Sequence, residues 1–598
     1  MINRREALKA ASAGAVGALA LHAPGLARAA EPADEPRGKP LERNDIRFWL
    51  ETSLRRVYPN SPAGSARPLD LLAARNQKLS FQACFGNLKT NSVRMRCDVI
   101  GAPAGWNVRV RRVGFVPFRN FNTFTPADEL EGVGDLPGMC PDPLYPEATA
   151  HVGPKSNGAF WISLAVPKDA ATGPQRLTVR LTHEDEFSYT DWVRAKPWSV
   201  DLEAVVDVCP LVIQPRKDFP VTQWISADSI WEWYKIEPCG ERFWQLAREY
   251  IADVVSHNVD VIYTPLINNR HEILKRPAQL LRVKRVATDQ YAFDFTDVRK
   301  WVRIAIESGA SYVEWPHFFT PAPTSGKHPQ RIYARDASGI GELLWPPETS
   351  ATGDTYRKFL EQFIPQFKAF LEEEGVFEKS LFHCADEPDG DVQMADYRKA
   401  RALLKELAPW MKVMDAMSDP RYATDRLSDM PVPSIATAPA FTAANCPAWV
   451  YFCCGPREKY LQRLLDTPLA KIRMSGWLFY RLGAKGFLHW GHNYWFVFCT
   501  DKIGDPFDDA AVGAWPGLPA GDPFVVYPGT DRPLDSIRWE VFAESLQDYA
   551  ILQSAGVKPD DPLLAAIKDY QAFPKTEGWI REALEKVLRA QPKPSAAG

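Results

Sequence analysis

The chain holds 598 residues, 45% of them hydrophobic and 24% charged, with a net charge of −3. That length exceeds one ordinary domain, the composition is that of a folded protein with a large core, and the charge excludes a basic nucleic-acid binder. Twenty Trp, 19 Tyr and 31 Phe supply rings for packing, and also platforms for flat apolar faces such as those of sugars.

Residues 1–29 have the form of an export signal. Arg4 and Arg5 are followed by Leu8-Lys9, a mildly apolar Ala/Gly/Leu stretch, and Ala27-Arg28-Ala29 as an A-x-A cleavage site. The pattern resembles a bacterial twin-arginine signal and predicts a periplasmic or secreted protein. A short amphipathic helix or an uncleaved anchor is the competing reading. The segment carries Arg4, Arg5, Lys9 and Arg28 against Glu6, so the mature chain is more acidic than the whole. No later segment has the roughly 20 apolar residues that a membrane span requires.

Residues 30–45, rich in Pro, Glu and Arg, read as a linker. From 46 to 212 the pattern is all-β. "NVRVRRVGFVPF" (107–118) and "RLTVRLTHEDEF" (176–187) alternate apolar and polar side chains, as half-buried strands do, and "WSVDLEAVVDV" (198–208) does so more loosely. A β-sandwich is expected there.

From 213 to 556 strands alternate with helices. The spacing predicts helices over 243–258, 295–310, 354–375 and 392–408, the third with Phe359, Phe363, Phe367 and Phe370 on its core side. Between them lie the apolar runs "VDVIYTPL", "SYVEWPHFF", "SLFHCA" and "WMKVMDAM", and later "PAWVYFCC" and "GAKGFLHW". This order predicts a (β/α)8 barrel. Residues 557–598 read as a helical segment with a disordered "PKPSAAG" tail.

The ten cysteines, at 84, 97, 140, 209, 239, 384, 446, 453, 454 and 499, form no C-x-x-C. Neither a zinc ribbon nor a thioredoxin-like motif is present. His489 and His492 of "HWGH" and His383 of "FHCADE" suggest a metal, but no third ligand follows, so hydrogen-bonding histidines are expected. No metal and no cofactor are predicted.

Chemistry concentrates in "LFHCADEPDG" (381–390), where an apolar strand ends in Asp386 and Glu387. In a barrel, reactive groups sit at such strand ends. Pro388 stops the run and is expected to hold Glu387 extended. By itself D-E-P-D-G is also a plain turn. Acid–nucleophile pairs of retaining glycosidases flank the scissile bond and come from different strands; adjacent acids suit a scheme in which the substrate's own 2-acetamido oxygen attacks. Further on, "GWLFYRLGAKGFLHWGHNYW" (476–495) places Trp490, Asn493 and Trp495 beyond a strand, as candidate sugar contacts.

Together, "AFDFTDVRKWVRIAIESGASYVEWPHFF", "FHCADEP", "GAKGFLHWGHNYW" and "VVYPG…RPLDSIRWEVFAESLQDYAIL" resemble glycoside hydrolase family 123 over most of residues 220–555. The resemblance implies an exo-acting β-N-acetylgalactosaminidase that retains configuration by substrate assistance. It makes Asp386 the acetamido-polarising residue and Glu387 the general acid/base. It makes His317, Tyr451, Trp490, Asn493 and Trp495 substrate contacts, with a glycan or glycoconjugate as partner. "FAESLQDYAIL" departs from the family in lacking the Arg-x-Gly that often precedes "QDY", and the loop 320–348 has its own character. Two alternatives stay open: a non-catalytic carbohydrate-binding or scaffold protein, and a glycosidase for a sugar without an acetamido group.

Overall fold

The computed structural model describes residues 39–590, apart from 122–123, 185–186, 189–192, 195, 268–276, 322–323, 499 and 515–516. The predicted export signal, most of the predicted linker and the end of the tail lie outside the described residues. No described helix is long and apolar enough to cross a membrane.

The N-terminal region is two β-sheets packed face to face. One orders the strands Leu41–Arg43, Ile46–Thr52, Lys78–Asn87, Ser156–Ala165, Asn107–Phe118 and Gly138–Tyr145. The other orders Leu69–Arg75, Trp198–Val212, Gly173–His183, Val93–Ile100 and Thr149–Val152. Phe48, Phe81, Phe85, Phe160, Ile162, Val179, Leu181 and Val206 fill the space between them, as inward-facing alternate residues of a sandwich do. The first strand begins inside the stretch that reads as linker, because Leu41–Arg43 pairs antiparallel with Ile46–Phe48.

The rest of the chain alternates strands and helices. Six short parallel strands carry the candidate site: β1 (Val221–Gln223), β2 (Val261–Tyr263), β3 (Tyr312–His317), β4 (Ser380–His383), and, after the pair β5 (Met414–Ala416) and β6 (Met430–Val432), β7 (Val450–Tyr451) and β8 (Phe487–His489). Their sheet order is β4-β3-β2-β1-β8-β7, and β5 and β6 pair separately. Single parallel bridges, Phe382 to Val413 and Ser434 to Tyr451, connect that pair to β4 and β7. The expected barrel is thus met in a coarser form, a curled six-stranded sheet and a two-stranded one. Only four- and six-residue helices, Arg421–Thr424 and Ala438–Ala443, flank β6.

The longer helices are α1 (Ala227–Tyr234), α2 (Glu241–Ser256), α3 (Thr296–Glu307), α4 (Asp354–Glu373), α5 (Gly390–Leu407), α6 (Ile537–Ser554) and α7 (Glu577–Arg589). In α4 the four phenylalanines are buried and run in a stack along one face. Helix α6 is buried around nearly its whole circumference, so it serves as an inner wall shared with the sandwich. The junction is a continuous apolar core, since Trp49, Val113 and Trp161 of the sandwich join one cluster with Trp539, Phe542 and Leu546 of α6. Asp142 of the sandwich, fully buried, takes Arg538 at 3.0 Å and the Tyr527 hydroxyl at 2.8 Å. A four-stranded antiparallel sheet, Gln290–Asp294, Arg282–Ala287, Tyr333–Asp336 and Gly339–Leu343, is inserted after β2 and β3.

Candidate active site

Strand β4 is buried at every residue, and the chain leaves it through Cys384 and Ala385 to the half-buried Asp386 and Glu387. Glu387 adopts φ +43°, the left-handed region that side chains rarely occupy. It is therefore not in the extended conformation expected before Pro388. The kink is fixed locally: the Glu387 N–H donates to Ala416 O of β5 at 3.1 Å, and Pro388 and the positive-φ Gly390 then turn the chain into α5. Strand alternation ends here, so the two acids meet different partners.

Glu387 accepts the Tyr451 hydroxyl at 2.9 Å on Oε1. Tyr451 ends β7, at the opposite edge of the six-stranded sheet from β4. In a flat sheet those edges would lie roughly 24 Å apart, at about 4.8 Å per strand. One hydrogen bond between them means the sheet curls until its strand ends face each other. Burial, reinforced by the Glu387 charge, pushes the Tyr451 hydroxyl well above its usual range, so it stays a donor.

Asp386 faces the end of β3, with its Oδ1 3.8 Å from His317 Nε2. The same nitrogen is 3.7 Å from Asp415 Oδ1 and makes no hydrogen bond. Ser325, in the loop after β3, donates its hydroxyl to the Asp386 carbonyl oxygen, which anchors that loop to the acid's backbone.

Beneath lies a buried polar cluster. His383 places Nε2 2.7 Å from Glu314 Oε1 and Nδ1 3.2 Å from Asp415 Oδ1. Glu314 also accepts from the Thr222 hydroxyl and, at 2.8 Å, from Trp224 Nε1. Asp415 accepts from the Cys384 N–H at 3.0 Å and from the Tyr397 hydroxyl at 2.6 Å. Its two carboxylates raise His383 to about 10 against the opposing pull of burial, which is the largest influence. Burial and the neighbouring His383 charge lower His317 to about 3. Trp224, at the end of β1, stands edge-on to both histidine rings.

Among the described residues, two groups bring three metal-type donors within 4.8 Å of one another: His317 with His383 and Asp415, and Asp253 with His257 and Asp535. At the first, both His383 nitrogens already face carboxylates and both Asp415 oxygens accept backbone N–H groups. The donor atoms of His383 and Asp415 are thus engaged in hydrogen bonds, and of the three residues His317 alone has a ring nitrogen, Nε2, without one.

The other expected contacts separate. Asp386, Glu387, His317 and Tyr451 come together. Trp490 follows β8, is buried, and donates Nε1 to Asp522 at 3.2 Å. Asn493 is fully buried, clamping the Ser226 backbone by accepting its N–H at 2.7 Å and donating to its carbonyl at 3.1 Å. Trp495 is fully buried, with Nε1 on the Val526 carbonyl and its ring edge-on to Trp233 and Tyr250. These two are scaffold positions, because neither has surface to offer a sugar. Glu314, Asp415 and Trp224 are the members that sequence reading missed. A single acid or a Trp inside or directly after an apolar strand is the signal that marks them.

Residues 224–555 match the model of the glycoside hydrolase 123 catalytic domain. A family 123 glycoside hydrolase from Clostridium perfringens, analysed for glycolipid glycan hydrolysis, superposes with a TM-score of 0.67 at 14% identity, over 91% of this chain and 97% of that one. A maltogenic α-amylase, AmyB from Thermotoga neapolitana, reaches 0.31 at 13% identity over 56% of this chain and 77% of its own, too low to carry an argument. No curated protein matches the sequence.

Proposed function

The chain belongs to glycoside hydrolase family 123 and is a glycoside hydrolase, and from that premise we propose that it removes a terminal β-linked N-acetylhexosamine, N-acetylgalactosamine before others, with retention of configuration. In this reading the eight parallel strands act as one (β/α)8-type ring closed through the Phe382–Val413 and Ser434–Tyr451 bridges, and residues 1–29 direct the enzyme out of the cytoplasm.

The observation that carries the mechanism is the adjacency of Asp386 and Glu387 combined with their divergent partners, His317 below one and Tyr451 across the mouth from the other. The two acids are sequence neighbours at one strand end and turn to different partners, which supports the substrate's acetamido group rather than a protein carboxylate as nucleophile. Asp386 accepts the acetamido N–H and steers the carbonyl oxygen to the anomeric carbon, forming an oxazolinium ion as the glycosidic C–O bond breaks. Glu387 gives its proton to the departing oxygen. It then takes a proton from water, which opens the ring and restores the β-anomer. Tyr451 donates to Glu387 and favours its charged form between the two steps.

The test is hydrolysis of an aryl β-N-acetylgalactosaminide, with NMR of the first-formed anomer. Initial β-anomer and inhibition by a thiazoline analogue of the oxazolinium ion are expected. Binding without turnover on every aryl hexosaminide overturns the enzymatic part. An initial α-anomer overturns the retaining scheme.

A further inference from the structure

The His383 cluster has no part in the steps just given, yet its geometry fixes its charge. Apart from His383, every hydrogen-bond partner of the Glu314 and Asp415 carboxylates is a donor: the Thr222 and Tyr397 hydroxyls, the Trp224 indole, and the N–H groups of Cys384 and Ala385. Carboxylates so surrounded act as acceptors. Both nitrogens of His383 face them, so both carry protons and the ring is an imidazolium. Its centroid lies 4.4 Å from that of His317. A second cation at that separation, in a buried site, is strongly disfavoured, and His317 is held neutral.

This matters because of where His317 stands. Its Nε2 lies between Asp386 and Asp415, 3.8 and 3.7 Å away. A charged His317 would close on Asp386 as an ion pair and occupy the oxygen that the substrate's N–H needs. We propose that His383 and His317 are positioning residues for Asp386: the buried imidazolium keeps its neighbour neutral, so that His317 does not close on Asp386 Oδ1 as an ion pair in competition with the acetamido group. The proposal rests on the role assigned to Asp386 above. The groups facing His317 are Asp386, Asp415, His383 and the Trp224 ring, and those facing His383 are Glu314, Asp415, His317 and the same ring.

The experiment compares pH profiles of kcat/KM for wild type, His383→Gln, His317→Gln and the double variant. In His383→Gln, His317 becomes free to protonate, and the acid limb is expected to move up by a unit or more towards the ordinary histidine range. In His317→Gln and in the double variant the limb is expected to stay near the wild-type position, because no titrating ring remains beside Asp386. A purely structural role lowers activity without this reversal. An unmoved limb in folded His383→Gln, or a shifted limb that persists in the double variant, overturns the proposal. Nitrogen-15 spectra of histidine-labelled protein, assigned by the signal each variant loses, read the two rings separately: the signal lost in His383→Gln is expected to be doubly protonated beyond pH 8 and the one lost in His317→Gln neutral down to pH 5, whereas either ring titrating near 6.5 contradicts it. Loss of activity on dialysis against a chelator, restored by a divalent metal, also overturns it, since His383 would then be a neutral ligand. The spectra read the two charge states whether or not an acetamido sugar is cleaved, so failure of the substrate assignment and failure of this inference are separable.

Discussion

Two buried histidine–carboxylate clusters, one at the strand ends and one at the junction with the sandwich, look alike in composition and differ in what they can do. At the junction, His257 has Nδ1 3.3 Å from Asp253 Oδ1 and Nε2 3.5 Å from Glu540 Oε1. Arg111, itself buried, pairs with Glu540 at 2.7 Å and with Asp535, while Arg109 reaches Asp535 at 3.1 Å. A cavity of about 290 Å³ lies alongside. Arg109 and Arg111 of the sandwich join His257 in facing Asp253, Asp535 and Glu540 of the C-terminal region there. At the strand ends, His383 lies between the Glu314 and Asp415 carboxylates, and the chain runs on from it to the half-buried Asp386 and Glu387. Perturbed titrating groups alone do not mark a reactive site. The two clusters differ in that one leads to a pair of half-buried acids at a strand end, while the other is enclosed between sandwich and helix.

Substitutions can break this contrast. The largest effect is expected for Glu387→Gln, a fall in kcat of roughly 10²–10⁴ on poor leaving groups with an unchanged thermal midpoint. Arg111→Met is the converse: breaking a buried pair from one side costs about 3–5 kcal/mol of stability, read by denaturant unfolding, while turnover per folded molecule persists. Tyr451→Phe removes a hydrogen bond to a charged group, worth about 1.5–3 kcal/mol, and tenfold or more in kcat/KM is expected to go with it.

The smallest effect is in the pH dependence of stability. The His257 and Arg111 charges hold Glu540 well below its usual range despite burial, so its contribution fades as pH falls through the carboxylate range. Burial raises Asp535 to about 7, and the charge of Asp253 adds to it; its contribution is complete below about pH 4 and is lost as pH climbs to 7. Despite burial, the Asp253 charge lifts His257 well above 6.5, and that contribution is lost at higher pH still. Thermal midpoints are expected to peak in mildly acidic buffer and fall on both sides, with His257→Gln flattening the alkaline side.

Much of this was legible in the sequence because periodic burial writes itself into composition. The strand 107–118 stands where its alternation puts it, and the helix read at 295–310 forms over Thr296–Glu307. The inserted sheet was not read, because Arg282–Ala287 is mostly exposed and carries no apolar alternation. Strand β5 forms inside the apolar run at 410–417, whereas β6, three residues long, is too short for a pattern. In the site, Asp386 and Glu387 stood out as charges ending an apolar run. Glu314 did not, since a Glu within "YVEWPH" looks solvent-facing until the strand is buried on both sides. Trp495 resembled a sugar contact because nothing local distinguishes a ring that packs from one that stacks, and Asn493 because an amide that clamps backbone reads like one that binds hydroxyls.

The division of labour between the adjacent acids is tested most directly by kcat/KM across aryl β-N-acetylgalactosaminides of increasing leaving-group acidity, for Asp386→Asn and Glu387→Gln. With Glu387 as proton donor and Asp386 as guide of the acetamido group, activated leaving groups should restore much of the rate to Glu387→Gln and none to Asp386→Asn. Equal rescue of both variants, or of Asp386→Asn alone, would contradict the account.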